Sequence, residues 1–92
     1  EEWVNTVLEH DLEMYPNPTQ GKLNLDLKGA WEDQRNIQIV ITDMTGRRIG
    51  ERILNGSGRA QFDFAELPAG VYFLQIITEE GRIIVKRFER IN

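Results

Sequence analysis

Lys22-Leu23-Asn24-Leu25-Asp26-Leu27-Lys28 alternates polar and apolar residues without a break. Successive side chains of a strand point to opposite faces, so this spacing sets Leu23, Leu25 and Leu27 on one face and the charged and amide groups on the other. The stretch reads as a strand with one buried and one wet face. The same period continues outward. Ile37, Ile39 and Ile41 repeat it, with Val40 as the one apolar residue behind them. Ile49 and Ile53 mark a returning strand in which Gly50 suits a bulge. Phe62 and Phe64 alternate with Gln61 and Asp63. Tyr72, Leu74 and Ile76 form one face of a further strand, with Phe73 and Ile77 on the other.

Turn chemistry separates these runs. Asp43-Met44-Thr45-Gly46 has Asp at the first position of a type I turn and Gly at the fourth. Thr78-Glu79-Glu80-Gly81 repeats it, and Asn55-Gly56-Ser57-Gly58 is another turn. Pro16 and Pro18 each remove a backbone donor and extend the residue before them, making a rigid corner from which Thr19-Gln20-Gly21 turns into the Leu23 strand. Leu67-Pro68-Ala69-Gly70-Val71-Tyr72 reads as a corner between sheets, with Tyr72 bonding back to an upstream backbone group. Gly70 there answers a need for positive φ or a close approach. In the last strand, Ile83 and Val85 share one face, and Ile84, Lys86 and Phe88 the other. Lys86 then lies on the side of Phe88, which calls for a bulge at Lys86-Arg87 or a lysine snorkelling at the core edge. Leu12-Met14 adds a strand at the front. The sum is an all-β chain: an immunoglobulin-like antiparallel sandwich of about seven strands, with almost no helix. Its expected core is Leu23, Leu25, Ile37, Ile39, Ile41, Phe62, Phe64, Tyr72, Leu74 and Ile76.

The chain has 92 residues, enough for one domain. Hydrophobic residues make up 40% and charged residues 28%, a globular balance. A net charge of −4 argues against nonspecific nucleic-acid binding. There is no cysteine, so disulfide and thiolate chemistry are excluded. The apolar runs Ile39-Val40-Ile41 and Ile83-Ile84-Val85 are far too short to span a membrane. Charge is uneven: Glu1, Glu2, Glu9, Asp11 and Glu13 crowd the front, and Arg82, Lys86, Arg87 and Arg90 the end. Two solvated ends that attract each other weakly are expected; the other reading is a basic terminal strand offered to a partner. Trp3, Val7 and Leu8 could form one helical face, but the first residues read as linker.

Nothing in the pattern is catalytic. His10 is the only histidine and has no second ligand at metal spacing. Ser57, the only serine, sits in a Gly-flanked turn. Asp43 and Glu66 read as turn former and loop residue rather than a glycosidase pair. Gly56-Ser57-Gly58 lacks the lysine of a phosphate loop. Trp3 and Trp31 fall in non-strand segments; an exposed Trp can stack on a sugar ring, but two unplaced ones make no platform, and Trp31 is as well suited to capping one end of the sandwich. No cofactor is called for.

Taken in order, Tyr15-Pro16-Asn17-Pro18-Thr19-Gln20-Gly21, Ile41-Thr42-Asp43-Met44-Thr45-Gly46-Arg47-Arg48-Ile49, and Leu67 to Ile76 with Gly81 and a basic tail resemble the C-terminal sorting domain of proteins exported by the type IX secretion system of Bacteroidetes. The resemblance runs from about Met14 to Asn92 and makes residues 1–13 a linker or leading segment. The matching positions are Pro16, Asn17, Pro18 and Gly21 in the first motif, and Asp43, Gly46 and Arg47 in the second. Gly70, Tyr72, Leu74 and Gly81 match the third, with Lys86 or Arg87 as its basic element. The resemblance implies a noncatalytic address on an N-terminally fused cargo. The cargo crosses the inner membrane by a signal on the longer precursor. The tail is recognised in the periplasm by the type IX outer-membrane translocon and shuttle proteins. A sortase-like peptidase then cleaves it, and the cargo stays at the surface or leaves the cell. The alternative class is an immunoglobulin-like adhesion or carbohydrate-binding module of a secreted protein.

Overall fold

A computed structural model describes residues 8–91. The order of elements is β1 (Leu12–Tyr15), β2 (Lys22–Leu27), a short 3-10 turn (Gly29–Trp31), β3 (Ile37–Asp43), β4 (Arg48–Leu54), β5 (Gly58–Asp63), β6 (Gly70–Ile77) and β7 (Ile83–Arg90). The strands form two antiparallel sheets, β1-β2-β5 and β4-β3-β6-β7. The expected seven-strand sandwich is thus the observed one. Residues 8–10 are helical; Trp3 and Val7 of the helical face lie outside the described residues.

Period two decides which side each strand turns inward. Leu23, Leu25, Ile37, Ile39, Leu74 and Ile76 have no exposed surface, and all ten expected core residues are buried. Fully burying a side chain of this kind is worth about 1.5–3 kcal/mol, so the facing rows supply the main drive to fold. Rings bridge the sheets: Phe64 stacks on Phe62 and on Phe88, and Phe88 on Tyr72, with centroids 5.1–5.8 Å apart. Leu8 and Leu12 are buried in the same core, which therefore reaches into the segment read as leading. Trp31 closes that end. It is fully buried, and its indole Nε1–H donates to the Leu8 carbonyl at 2.8 Å.

The turns follow their chemistry. Asp43-Gly46 joins β3 to β4: the Gly46 amide donates to the Asp43 carbonyl, and the Asp43 carboxylate accepts from the Thr45 and Arg47 amides. Thr78-Gly81 joins β6 to β7 in the same way, with the Thr78 hydroxyl accepting from the Arg82 amide. Gly46 and Gly81 occupy equivalent positions, at φ 88° and 92°, where a side chain is disfavoured. The register of β3 on β4 slips between Ile41/Thr42, leaving Ile49 as the extra residue beside Gly50. Asn55 to Ser57 carry the chain from one sheet to the other, since β4 pairs with β3 and β5 with β2.

Candidate functional site

The Pro16 to Gly21 segment leaves β1 at Tyr15 and crosses the sandwich edge to the opposite sheet. Both Tyr15–Pro16 and Asn17–Pro18 are cis. Without N–H groups at Pro16 and Pro18, the segment pairs through what lies between and after them. The Asn17 carboxamide acts as a piece of strand edge: its Nδ2–H donates to the Arg87 carbonyl at 3.0 Å, and its Oδ1 accepts from the Glu89 amide at 3.1 Å. Thr19 continues the contact in parallel with Arg90. Its amide donates to the Glu89 carbonyl, and its carbonyl accepts from the Ile91 amide, both at 2.8 Å. The fully buried Thr19 hydroxyl then accepts from the Gly21 amide and donates to the Lys22 carbonyl, turning the chain into β2. The first motif is thereby fastened along the C-terminal half of β7.

Arg90 ties this junction to the corner before β6. It is buried, with 9% of its surface exposed. Its guanidinium donates to the carbonyls of Phe64 and Ala65 at 3.1 Å each, and to that of Ile91. The Tyr72 hydroxyl donates to the Pro68 carbonyl at 2.6 Å, the corner bond expected of it. Gly70 faces Arg90 across the ladder at a positive φ of 158°, with open space where a Cβ would stand; of its two expected roles the positive φ is present and the close approach is not. Leu74 and Tyr72 are core residues.

The basic element divides by strand parity. No bulge interrupts β7, so Lys86 lies on the side of Ile84 and Phe88. It snorkels past the core edge to the Glu9 carboxylate at 2.8 Å, joining the acidic front to the basic end. Arg87 points the other way and is exposed.

The remaining motif residues sit elsewhere. Asp43, Gly46 and Arg47 form a turn at the same end as Gly70, because Asp43 pairs with Tyr72. They make no hydrogen bond to the first motif among the described residues. The Thr45 hydroxyl, then the Arg47 and Thr45 amides, hold the Asp43 carboxyl below the ordinary aspartate value, and the Arg47 charge adds to this. Gly81 lies at the opposite end. The structure therefore joins Pro16, Asn17 and Pro18 to the strand of Lys86 and Arg87, and leaves Gly81 apart. Thr19 and Arg90 are members that the sequence reading missed. Thr19 carried a signal, since a Ser/Thr two residues before Gly at a strand entry can close a turn. Arg90 shares the parity of Phe88.

The outer face of the β1-β2-β5 sheet carries polar ladders rather than a cleft. The Tyr15 hydroxyl donates to Asp26 at 3.1 Å, and Arg59 donates to the same carboxylate at 3.1 Å. Arg59 first, then Tyr15, holds Asp26 below its usual range; partial burial first, then Asp26, raises Tyr15. No group of three or more His, Cys, Asp or Glu residues is placed to hold a metal among the described residues. Trp31 is fully buried and so has no face to offer a sugar; Trp3 lies outside the described residues.

The structure is similar to that of a DUF3244 family protein from Bacteroides vulgatus with an immunoglobulin-like β-sandwich fold, at a TM-score of 0.73 and 21% identity over 88% of this chain and 85% of that one. At that identity the likeness establishes the fold alone. A search of curated proteins gives no match. A family described as "Secretion system C-terminal sorting domain" matches residues 13–88, a span that contains the first two motifs whole and the third through Phe88. The chain belongs to this family of type IX secretion sorting domains, whose members mark a protein for export to the cell surface or beyond.

Proposed function

We propose that the chain is a noncatalytic C-terminal address, joined through residues 1–13 to a cargo, with residues 14–92 as the part that is read. The outer-membrane translocon and its shuttle proteins bind it in the periplasm. A sortase-like peptidase then removes it, and the cargo is set on the surface or released. The observation that carries this reading is the fastening of Pro16-Asn17-Pro18-Thr19 along Arg87 to Ile91. Two motifs at opposite ends of the sequence become one surface, and the basic terminal strand is held extended on a rigid sandwich. A pre-ordered strand loses less conformational entropy on binding than a free tail would.

The test places the chain behind a reporter bearing an inner-membrane signal, in a bacterium with type IX machinery. Surface or extracellular reporter is expected with the chain, and periplasmic reporter without it. Removing residues 86–92 takes away Phe88 and Arg90 as well as the basic pair, so that truncation abolishes both folding and export. Equal export with and without the chain contradicts the reading.

A further inference from the structure

β7 is the outer strand of its sheet, and its free edge is covered over only half its length. In an antiparallel ladder, alternate residues turn both N–H and C=O toward the partner strand, and those between turn both away. The Thr78 amide bonds the Arg82 carbonyl at 2.9 Å, and the register pairs Ile76 with Ile84 and Leu74 with Lys86. Ile84, Lys86, Phe88 and Arg90 therefore address β6, while Ile83, Val85, Arg87 and Glu89 address the edge. The outward groups farther along are taken: the Arg87 carbonyl and Glu89 amide by Asn17, and the Glu89 carbonyl by Thr19. The N–H and C=O groups of Ile83 and Val85, and the N–H of Arg87, have no hydrogen-bond partner among the described residues. The side chains beside them are open too, Ile83 at 54% and Val85 at 51% exposure, next to half-buried Ile77 and Phe73 on the outer face.

We infer that the Ile83–Arg87 edge is a strand-addition site that takes an extended, acidic segment of a partner protein. This deepens the sorting reading and rests on it for the partner's role in export. Strand addition uses an exposed edge for main-chain bonds and flanking pockets for side chains. The next stretch of the same edge already holds an extended segment, Asn17 to Thr19, so the edge is competent to pair. The charges select the occupant. Lys86 already holds one carboxylate, that of Glu9, and Arg87 is exposed with no ion pair among the described residues. A second copy of the chain would bring the same basic strand, and like charges placed opposite each other disfavour pairing.

Two assays test this separately from the sorting reading. In the first, an acetylated Glu-Val-Glu-Val-Glu-Val peptide and its Lys-for-Glu counterpart are titrated into the isotope-labelled chain. The acidic peptide is expected to shift the amides of Ile83, Val85 and Arg87, and the basic peptide to bind at least about tenfold more weakly, the scale of one lost charge-assisted hydrogen bond. Equal binding of the two, or shifts confined to other residues, overturns the inference. In the second, Val85→Pro and Ile83→Pro remove an outward N–H that has no native partner, a change tolerated on edge strands. Val85→Thr keeps the N–H. Both proline variants are expected to unfold cooperatively near the parent temperature and to export a fused reporter about tenfold less, with the threonine variant exporting like the parent. Should Val85→Pro fail to fold, Ile83→Pro at the strand's first residue decides. Parental export by a folded proline variant overturns the inference. So does a concentration-dependent dimer of the parent that these variants abolish, since the occupant is then a second copy. Failure of the parent itself to export strikes the sorting reading alone, because the peptide titration does not depend on it.

Discussion

The two long edges of the sandwich are finished differently. At the β4/β5 edge, Arg52 lies 4.8 Å over the Phe62 ring and donates to the Gln61 carbonyl at 3.1 Å, so one side chain bridges the sheets and caps an outward backbone group. At the β1/β7 edge, the chain itself does part of that work. Asn17 and Thr19 cover Arg87 to Ile91, and Ile83 to Val85 stay open. An unpaired edge is a hazard of any sheet, and proteins blunt it with charges, prolines or covering segments. One edge here is bridged at a single point by a local side-chain contact. The other is closed by the segment that carries the first motif and opened where the basic strand begins. On the proposed reading, stability and recognition fall to neighbouring stretches of one strand.

That division can be broken at several points. The largest effect is expected from Phe88→Ala, which empties a fully buried position stacked on Phe64 and Tyr72. It should cost about 3–5 kcal/mol in denaturant unfolding and abolish export with it. Arg90→Met keeps the length and leaves the carbonyls of Phe64, Ala65 and Ile91 without their donor. A loss of about 1–3 kcal/mol is expected, together with faster hydrogen exchange at the Thr19 and Ile91 amides. A loss below the error of the unfolding measurement would show that the junction holds without it.

Paired variants sharpen the contrast between the edges. Arg52→Ala and Asn17→Ala each remove a bridging side chain, and each should cost about 1 kcal/mol. Only Asn17→Ala is expected to lower export, because only it loosens the first motif from the edge of β7. Equal loss of export in both would mean that export simply follows stability. A smaller effect belongs to the β3–β4 turn. Its Asp43 carboxyl is held below the ordinary aspartate range, so its contribution is fully present above the unfolded value of about 3.9 and is lost as pH falls through the lower folded value. Melting temperatures of the parent and Asp43→Asn should therefore differ at neutral pH and converge in acid. A constant gap down to about pH 2 would show that the charge is not the source.

The strands were readable because one face of each is buried: a slip of one residue would turn Leu23, Leu25 and Leu27 into water, so the sequence has to declare its period. Tyr72 and the Asp43 and Thr78 turns were readable for local reasons, since their partners lie within four residues. What stayed hidden depends on distance along the chain. Asn55 to Ser57 carry turn residues, yet a turn does not say whether its flanking strands pair, and these do not. Asn17 meets Arg87 and Glu89 across 70 and 72 positions, through a side chain standing in for a backbone. Arg90 shares the parity of Phe88, which points it inward, but only the carbonyls of Phe64 and Ala65 make that position tolerable for a guanidinium. Lys86 follows the same parity and escapes along the edge to Glu9.

The most direct test of the account is the double variant Lys86→Gln with Arg87→Gln, followed by thermal unfolding and by the surface-to-periplasm ratio of a fused reporter. Lys86 forms an ion pair at the edge and Arg87 is exposed, so stability should stay within about 1 kcal/mol of the parent. Export should fall sharply, because the charge presented to the partner is gone. A stable variant exported as well as the parent would contradict the claim that this strand is what the secretion machinery reads.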